Sequence, residues 1–275
     1  MYKVIRQMLD IIKKDTKTVI IDFSDLQNIE VGGVTSLSNV IEYLKYRKID
    51  VQCINADSCS ASAFLLGSGF LRKHTNNEKH FDKTNAEFLP LEFVVYNQSF
   101  SYITTSLIPW MATTLEQDKR ALSSIQICLE EIFNNIKDHS TVNIGCSCAH
   151  HDKDQDRILI CVADFGIGIS QRVRGAIEIG SDQAAIAMAC QDGFTTQTTP
   201  RNRGAGLHIL IRNIVARNSG HVSIYSGNGI YECKPNQKKG TGRAAPSRYP
   251  GTLLYLIIDT KLFVPSEISE EEFSW

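Results

Sequence analysis

The sequence predicts an α/β (α+β) chain of about two domains, on three observations. First, 275 residues at 43% hydrophobic exceed one minimal core, and at roughly 150 residues per domain the length allows about two. Second, the opening quarter alternates short β-branched runs with helically spaced apolar positions, the pattern of a small α/β layer with parallel strands. Third, the second half carries longer apolar strands between amphipathic helices. A charged fraction of 21% excludes a disordered or fibrous chain. Lys plus Arg (29) nearly cancels Asp plus Glu (30), which argues against a general nucleic-acid binder.

The elements follow in order. Val4, Ile5, Met8, Ile11 and Ile12 share a helical face, and Thr18 to Phe23 reads as a buried strand. Val34 to Tyr46 is helical, Val51 to Ile54 a second strand, and Ala61 to Leu66 a helical piece ending at Gly67. The polar stretch from Arg72 to Glu87 reads as a linker. A strand at Leu91 to Val95 comes next, then helices around 98–116 and 119–139, and strands at about 142–149 and 157–163. Residues 206–217 are helical, and 221–226 and 252–258 are strands. The Gly/Lys/Arg/Pro-rich segment 227–250 between them reads as a solvated loop, and 266–275 as an acidic tail. The expected units are 1–75, a linker at 76–87, and 88–265.

Eight cysteines are too few for a disulfide scaffold, and Cys128, Cys161 and Cys190 sit in apolar runs as small hydrophobes. Lysines and an aspartate interrupt the first helix, which is therefore not a signal peptide. No run approaches the roughly 20 apolar residues that cross a bilayer. The expectation is a cytoplasmic protein without a membrane partner.

Four short patterns carry chemistry. Glu131, Asn135 and Asp138 share one helical face, apart from the apolar stripe of Leu122, Ile125, Leu129, Ile132 and Ile136. A carboxylate and an amide so placed suit a water and a divalent cation. Asp164-Phe-Gly166-Ile-Gly168-Ile169 follows an apolar strand. A strand-end carboxylate there can accept from an exocyclic amine while the glycines admit a ring. Arg203-Gly204-Ala205-Gly206-Leu207 opens an apolar helix, where free backbone N–H groups form an anion site. Gly251-Thr252 enters the last apolar strand. No glycine pair completes a dinucleotide or P-loop pattern.

In order and setting, these four resemble the N, G1, G2 and G3 boxes of the GHKL superfamily of ATPases. Glu131-x-x-x-Asn135-x-x-x-His139 is similar to the N box of anti-sigma-factor kinases. The resemblance spans about residues 88–265 and implies a Bergerat α/β sandwich, a mixed sheet with helices on one face, that binds ATP and Mg²⁺. It implies that Asn135 binds Mg²⁺, that Glu131 is the base or water-orienting group, and that Asp138 and His139 belong to the same nucleotide-facing helix. Asp164 would read the adenine amino group with support from Thr252. Gly166, Gly168 and Ile169 would lie against the nucleotide, and Arg203, Gly204, Ala205, Gly206 and Leu207 would frame the phosphates. Residues 170–203 would be a mobile lid with Thr195-Thr196. Family lids often carry a lysine soon after such a pair, where this chain has Gln197. Glu130 and Asn134 repeat the i, i+4 spacing one residue earlier, but only the later frame brings His139 into place.

The first 75 residues resemble a STAS domain through Val19-Ile-Ile-Asp22-Phe-Ser24, Glu30-Val31-Gly32-Gly33 and Leu65-Leu66-Gly67-Ser68-Gly69-Phe70. Gly32 stands where that family often has its phosphate-accepting hydroxyl. The implied function is regulatory: hydrolysis of Mg-ATP, or phosphoryl transfer to a Ser/Thr of a partner protein. The alternative is a nucleotide-gated interaction module. Expected partners are ATP, a STAS-like or regulatory protein, and a second copy of the chain.

Overall fold

The computed structural model describes residues 2–12, 16–75, 85–94, 98–137, 145–194, 206–237 and 239–265. The N-terminal segment contains α1 (Tyr2–Ile12), β1 (Thr18–Asp22), α2 (Val31–Tyr46), β2 (Asp50–Ile54), α3 (Ser62–Gly67) and α4 (Phe70–His74). Then come β3 (Phe88–Phe93), α5 (Ser99–Tyr102), a π-helical turn (Ile103–Leu107) and α6 (Ile108–Thr114). α7 (Ser123–Lys137), β4 (Gly145–Asp152) and β5 (Arg157–Asp164) precede α8 (Gly168–Ala176) and α9 (Asp182–Ala189). α10 (Gly206–Ile211) continues into a second π-helical turn (Arg212–Arg217), and β6 (His221–Cys233) and β7 (Thr241–Asp259) close the fold.

β1 and β2 pair in parallel, as their separation by a helix requires. The other strands form a five-stranded sheet ordered β3-β4-β5-β7-β6. The class is α+β, as expected, but all four pairings in this sheet are antiparallel where a mixed sheet was expected. Alternate residues divide the sheet into two faces. Ile158, Ile160, Val162, Leu254, Leu256 and Ile258 join the core under α7 and α10. Cys146, Cys148, Leu159, Cys161, Ala163 and Leu253 join the other core, together with Val31, Val34, Ile41 and Leu44 of α2.

Within residues 88–265, helices were expected on one face of the sheet. The N-terminal layer covers the second face, so α2 packs across β4 and β5 and α1 against β7. Apolar burial on both faces accounts for the unbroken run Ile158 to Ala163, which an antiparallel strand with one wet face would interrupt. The expected linker lies largely outside the described residues, and the segments it joins share a hydrophobic core.

Two other expectations are corrected. Residues 227–250 are not a loop, because β6 and β7 continue through most of the segment as a long hairpin. Its glycines allow a bulge: register shifts flank Gly227, whose φ is +58°. The first part of the expected lid, 170–194, is largely helical. Ser181 caps α9, its hydroxyl accepting from the Ala184 N–H at 3.3 Å, and Ala185 and Ile186 are buried. Among the described residues, no helix is long and apolar enough to cross a membrane.

Candidate functional site

Asp164 ends β5 opposite Thr252 of β7, and directly opposed residues project to the same face of a sheet. That face is the one under α7 and α10. The carboxylate is held at both oxygens: Oδ1 accepts the Gly166 N–H at 2.7 Å and Oδ2 the Thr252 N–H at 3.2 Å. Thr252 Oγ1 in turn accepts the Ile169 N–H at 3.1 Å. Asp164 is 3% exposed, and burial pushes its carboxyl up to about 7 against the lowering effect of the two N–H donors. This carboxyl therefore changes charge near neutral pH.

The turn requires its glycines. Gly168 has φ +78°, and a Cβ there would strike the Gly251 carbonyl and the Ser226 hydroxyl. Gly251 has φ +97°, and its Cβ would strike the Asp164 carbonyl and come within 2.6 Å of the Gly166 nitrogen. Ser226 gave no signal in the sequence, yet it ties the turn together. It donates to the Gly251 carbonyl at 2.9 Å and accepts the Ser170 N–H at 3.3 Å. Its position opposite Thr252 in the β6–β7 register identifies it.

α7 is the helix of the expected Glu131 and Asn135, and its apolar stripe of Ile125, Cys128, Leu129 and Phe133 is buried. It packs against α10, which opens at Gly206, with Leu207 buried at its start. The first and third patterns thus lie on adjoining helices, above the sheet face that carries Asp164. The side chains of Glu131 and Asn135, and all of Asp138, His139, Thr195, Thr196, Arg203, Gly204 and Ala205, lie outside the described residues. In the alternative frame, Glu130 accepts from the Gln126 side chain at 2.8 Å.

Phe165 follows Asp164 and faces the opposite way. Its ring meets those of Tyr43 of α2 at 5.8 Å and Tyr249 at 5.6 Å, both edge-on. On this second face Gly32 lies under the Tyr255 ring, where a Cβ would sit 3.3 Å from the ring carbon. The Tyr255 hydroxyl donates to Glu30 at 3.0 Å. The Thr35 and Ser36 hydroxyls donate back to the Val31 and Gly32 carbonyls at 2.6 and 2.7 Å and are buried. The start of α2, Glu30–Gly33, therefore abuts the face of the sheet opposite Asp164.

A polar group in the same layer mimics a hydrolase site. Ser38 Oγ and His74 Nε2 are 2.8 Å apart, with Glu42 Oε1 3.8 Å from Nδ1. The polar stretch had suggested a linker histidine, but His74 ends α4 with its side chain 0% exposed. Burial, reinforced by Lys45 and Lys73, holds its imidazole neutral, down to about 3. Ser38 is also fully buried, so no substrate reaches it and the group is structural. All eight cysteines are free thiols. Burial pushes those of Cys146, Cys148 and Cys161 well up, which keeps them protonated and unreactive.

The chain matches no protein-family model and no curated protein sequence.

Proposed function

We propose that the chain binds Mg-ATP at the turn after β5, and hydrolyses it or transfers its terminal phosphoryl group to a Ser or Thr of a partner protein. One observation carries this reading: a buried strand-end carboxylate, Asp164, is fixed by two backbone donors beside a glycine turn that Thr252 closes. Each carboxylate oxygen keeps a lone pair for an adenine amino group, and Gly168 and Gly251 let the turn close tightly beside it.

The remaining roles follow from the adjoining helices. Asn135 would hold the Mg²⁺, which when bound neutralises phosphate charge. Glu131 would orient or deprotonate the attacking hydroxyl. The backbone N–H groups at the start of α10 would face the phosphates. The packing of α7 on α10 supports this grouping.

A second reading, a nucleotide-gated interaction module, draws support from Phe165. The residue next to the base-reading carboxylate packs against α2, so a shift of the turn would reach the N-terminal layer and any STAS-like partner or second copy docked on it. Gln197, in place of a lid lysine, is consistent with slow turnover.

Titration calorimetry with Mg-ATP tests the binding step. Asp164→Asn is expected to cost about 1.5–3 kcal/mol of affinity; unchanged affinity in a folded variant overturns the site. Incubation with γ-labelled ATP, with and without partner proteins, then separates the two readings. Label on a partner or free phosphate supports the enzyme, and neither product supports the gated module. The buried hydroxyls of Thr35 and Ser36 should stay unlabelled in the chain itself.

A further inference from the structure

β1 and β2 form a sheet of two strands, so each has one edge that no described strand pairs. The Asp50 N–H donates to the Lys17 carbonyl at 2.9 Å and the Phe23 N–H to the Ile54 carbonyl at 3.0 Å. With Thr18 opposite Asp50 and Asp22 opposite Ile54, β1 bonds β2 through Lys17, Val19, Ile21 and Phe23. The backbone N–H and C=O groups of Thr18, Ile20 and Asp22 therefore point to the open edge.

Parallel strands ordinarily lie in sheets covered on both faces. Here Val19, Ile21, Val51 and Cys53 pack against the N-terminal core. On the other face Thr18, Ile20 and Asp22 are exposed, Ile20 at 60%. Proteins guard such an edge with a mid-strand charge, a proline or a covering element. Thr18 to Ile21 carries neither charge nor proline, and α1 packs chiefly against β7 and α2.

We propose that this edge pairs with the same edge of a second copy of the chain, antiparallel, about a two-fold axis at Ile20. The register is self-complementary. On the outer face Ile20 meets its own counterpart, which covers two exposed apolar side chains at once. Thr18 meets the second copy's Asp22, a hydroxyl donor against a carboxylate. On the inner face Val19 meets the second copy's Ile21, both β-branched and apolar. The residues with free backbone groups fall opposite one another, so each such pair exchanges both of its N–H···O bonds. β2 does not match itself in this way. An antiparallel register that pairs its whole length sets Asp50 against Ile54, a charge against an apolar side chain. The two copies then share one sheet in the order β2-β1-β1-β2. An edge of five residues is short, so the dimer forms and dissociates in the micromolar range. It needs neither nucleotide nor Asp164, and so stands apart from the nucleotide reading.

Sedimentation equilibrium of the full chain without nucleotide, over about 1–500 µM, tests the pairing. The expected result is a reversible dimer. Ile20→Lys places like charges directly opposite each other and should weaken it about tenfold or more, and Ile20→Glu likewise. The position is exposed, so both variants should keep the parent's circular dichroism. An equimolar mixture of the two variants should recover the dimer, because residue 20 facing residue 20 turns repulsion into attraction. Ile54→Lys, on the same face but away from the axis, should leave the affinity within about threefold. A monomer at every concentration, a dimer indifferent to Ile20→Lys, or a mixture that stays monomeric each overturns the proposal. Equal loss in Ile54→Lys also overturns it, since the contact would then be general apolar adhesion. A monomer whose Ile20 amide resists hydrogen exchange would show the edge covered from within the chain, and overturns it too.

Discussion

Phe165 and Tyr43 meet edge-on at 5.8 Å, and through this contact the strand that presents Asp164 is fastened to the N-terminal layer. Phe165 is 3% exposed. Removing such a ring typically costs about 3–5 kcal/mol. Phe165→Ala should lower the urea midpoint accordingly, with Phe165→Leu intermediate. Deleting residues 1–75 should go further, since it uncovers Cys146, Cys148, Leu159, Cys161 and Leu253 together. The truncated chain should bind a hydrophobic dye and lose cooperative unfolding. A cooperative, dye-silent truncation would show that the two segments are independent domains.

Two buried groups should oppose one another in acid. Burial raises Asp164 from 3.8 to about 7. Its contribution is therefore complete below 3.8 and lost as pH rises through about 7. Burial lowers His74 from 6.5 to about 3, so its contribution is complete above 6.5 and lost as pH falls through about 3. Glu42, Lys45 and Lys73 are the charged neighbours of the imidazole. Between 3.8 and 6.5 the two slopes have opposite signs, each up to about 1.4 kcal/mol per pH unit. Urea titrations across this window should show Asp164→Asn losing stability toward acid more steeply than the parent. His74→Gln should shift the slope in the opposite direction.

Gly251→Ala should damage the site while leaving the Asp164 carboxylate chemically intact. The position has φ +97°, and the added methyl would press on the Asp164 carbonyl. Backbone strain of this kind costs on the order of 1–3 kcal/mol. Mg-ATP affinity should fall about as far as in Asp164→Asn, with near-UV circular dichroism reporting whether the fold persists.

On the helix above, Glu131→Ala should retain Mg-ATP binding but slow turnover on the order of 10²-fold or more. Asn135→Ala should instead weaken the metal-dependent part of binding. A Glu130→Ala variant that loses turnover while Glu131→Ala keeps it would move the functional face by one residue.

Much of this was legible from local pattern. The strand before Asp164, the glycine turn and the helix of Glu131 follow from β-branched runs, glycine placement and 3.6-residue periodicity. The hairpin at 227–250 was hidden because glycine, lysine and proline signal loops. In a long hairpin, glycine at a bulge and exposed arginine or proline on the stretch of β7 that pairs with β6 alone are compatible with the pairing. The second covered face was hidden because no single element announces what packs on it. The clue lay in Ile158 to Ala163, too evenly apolar for a strand with one wet side. His74 reads from sequence as a linker residue because its burial depends on Phe70 and Phe93, distant from each other in sequence.

The alternation at the end of β5 also has a consequence for how the sequence can change. Asp164 and Phe165 are adjacent, and each is required on its own side of the sheet. A slip of one residue would drive an aromatic ring into the place of the carboxylate and a charge into the place of the ring. Single insertions or deletions within Arg157–Phe165 should therefore be absent from functional descendants of this chain, even where substitutions along the same strand are tolerated. Length variation should accumulate instead at the Lys153–Asp156 turn, where exposed polar residues join β4 to β5.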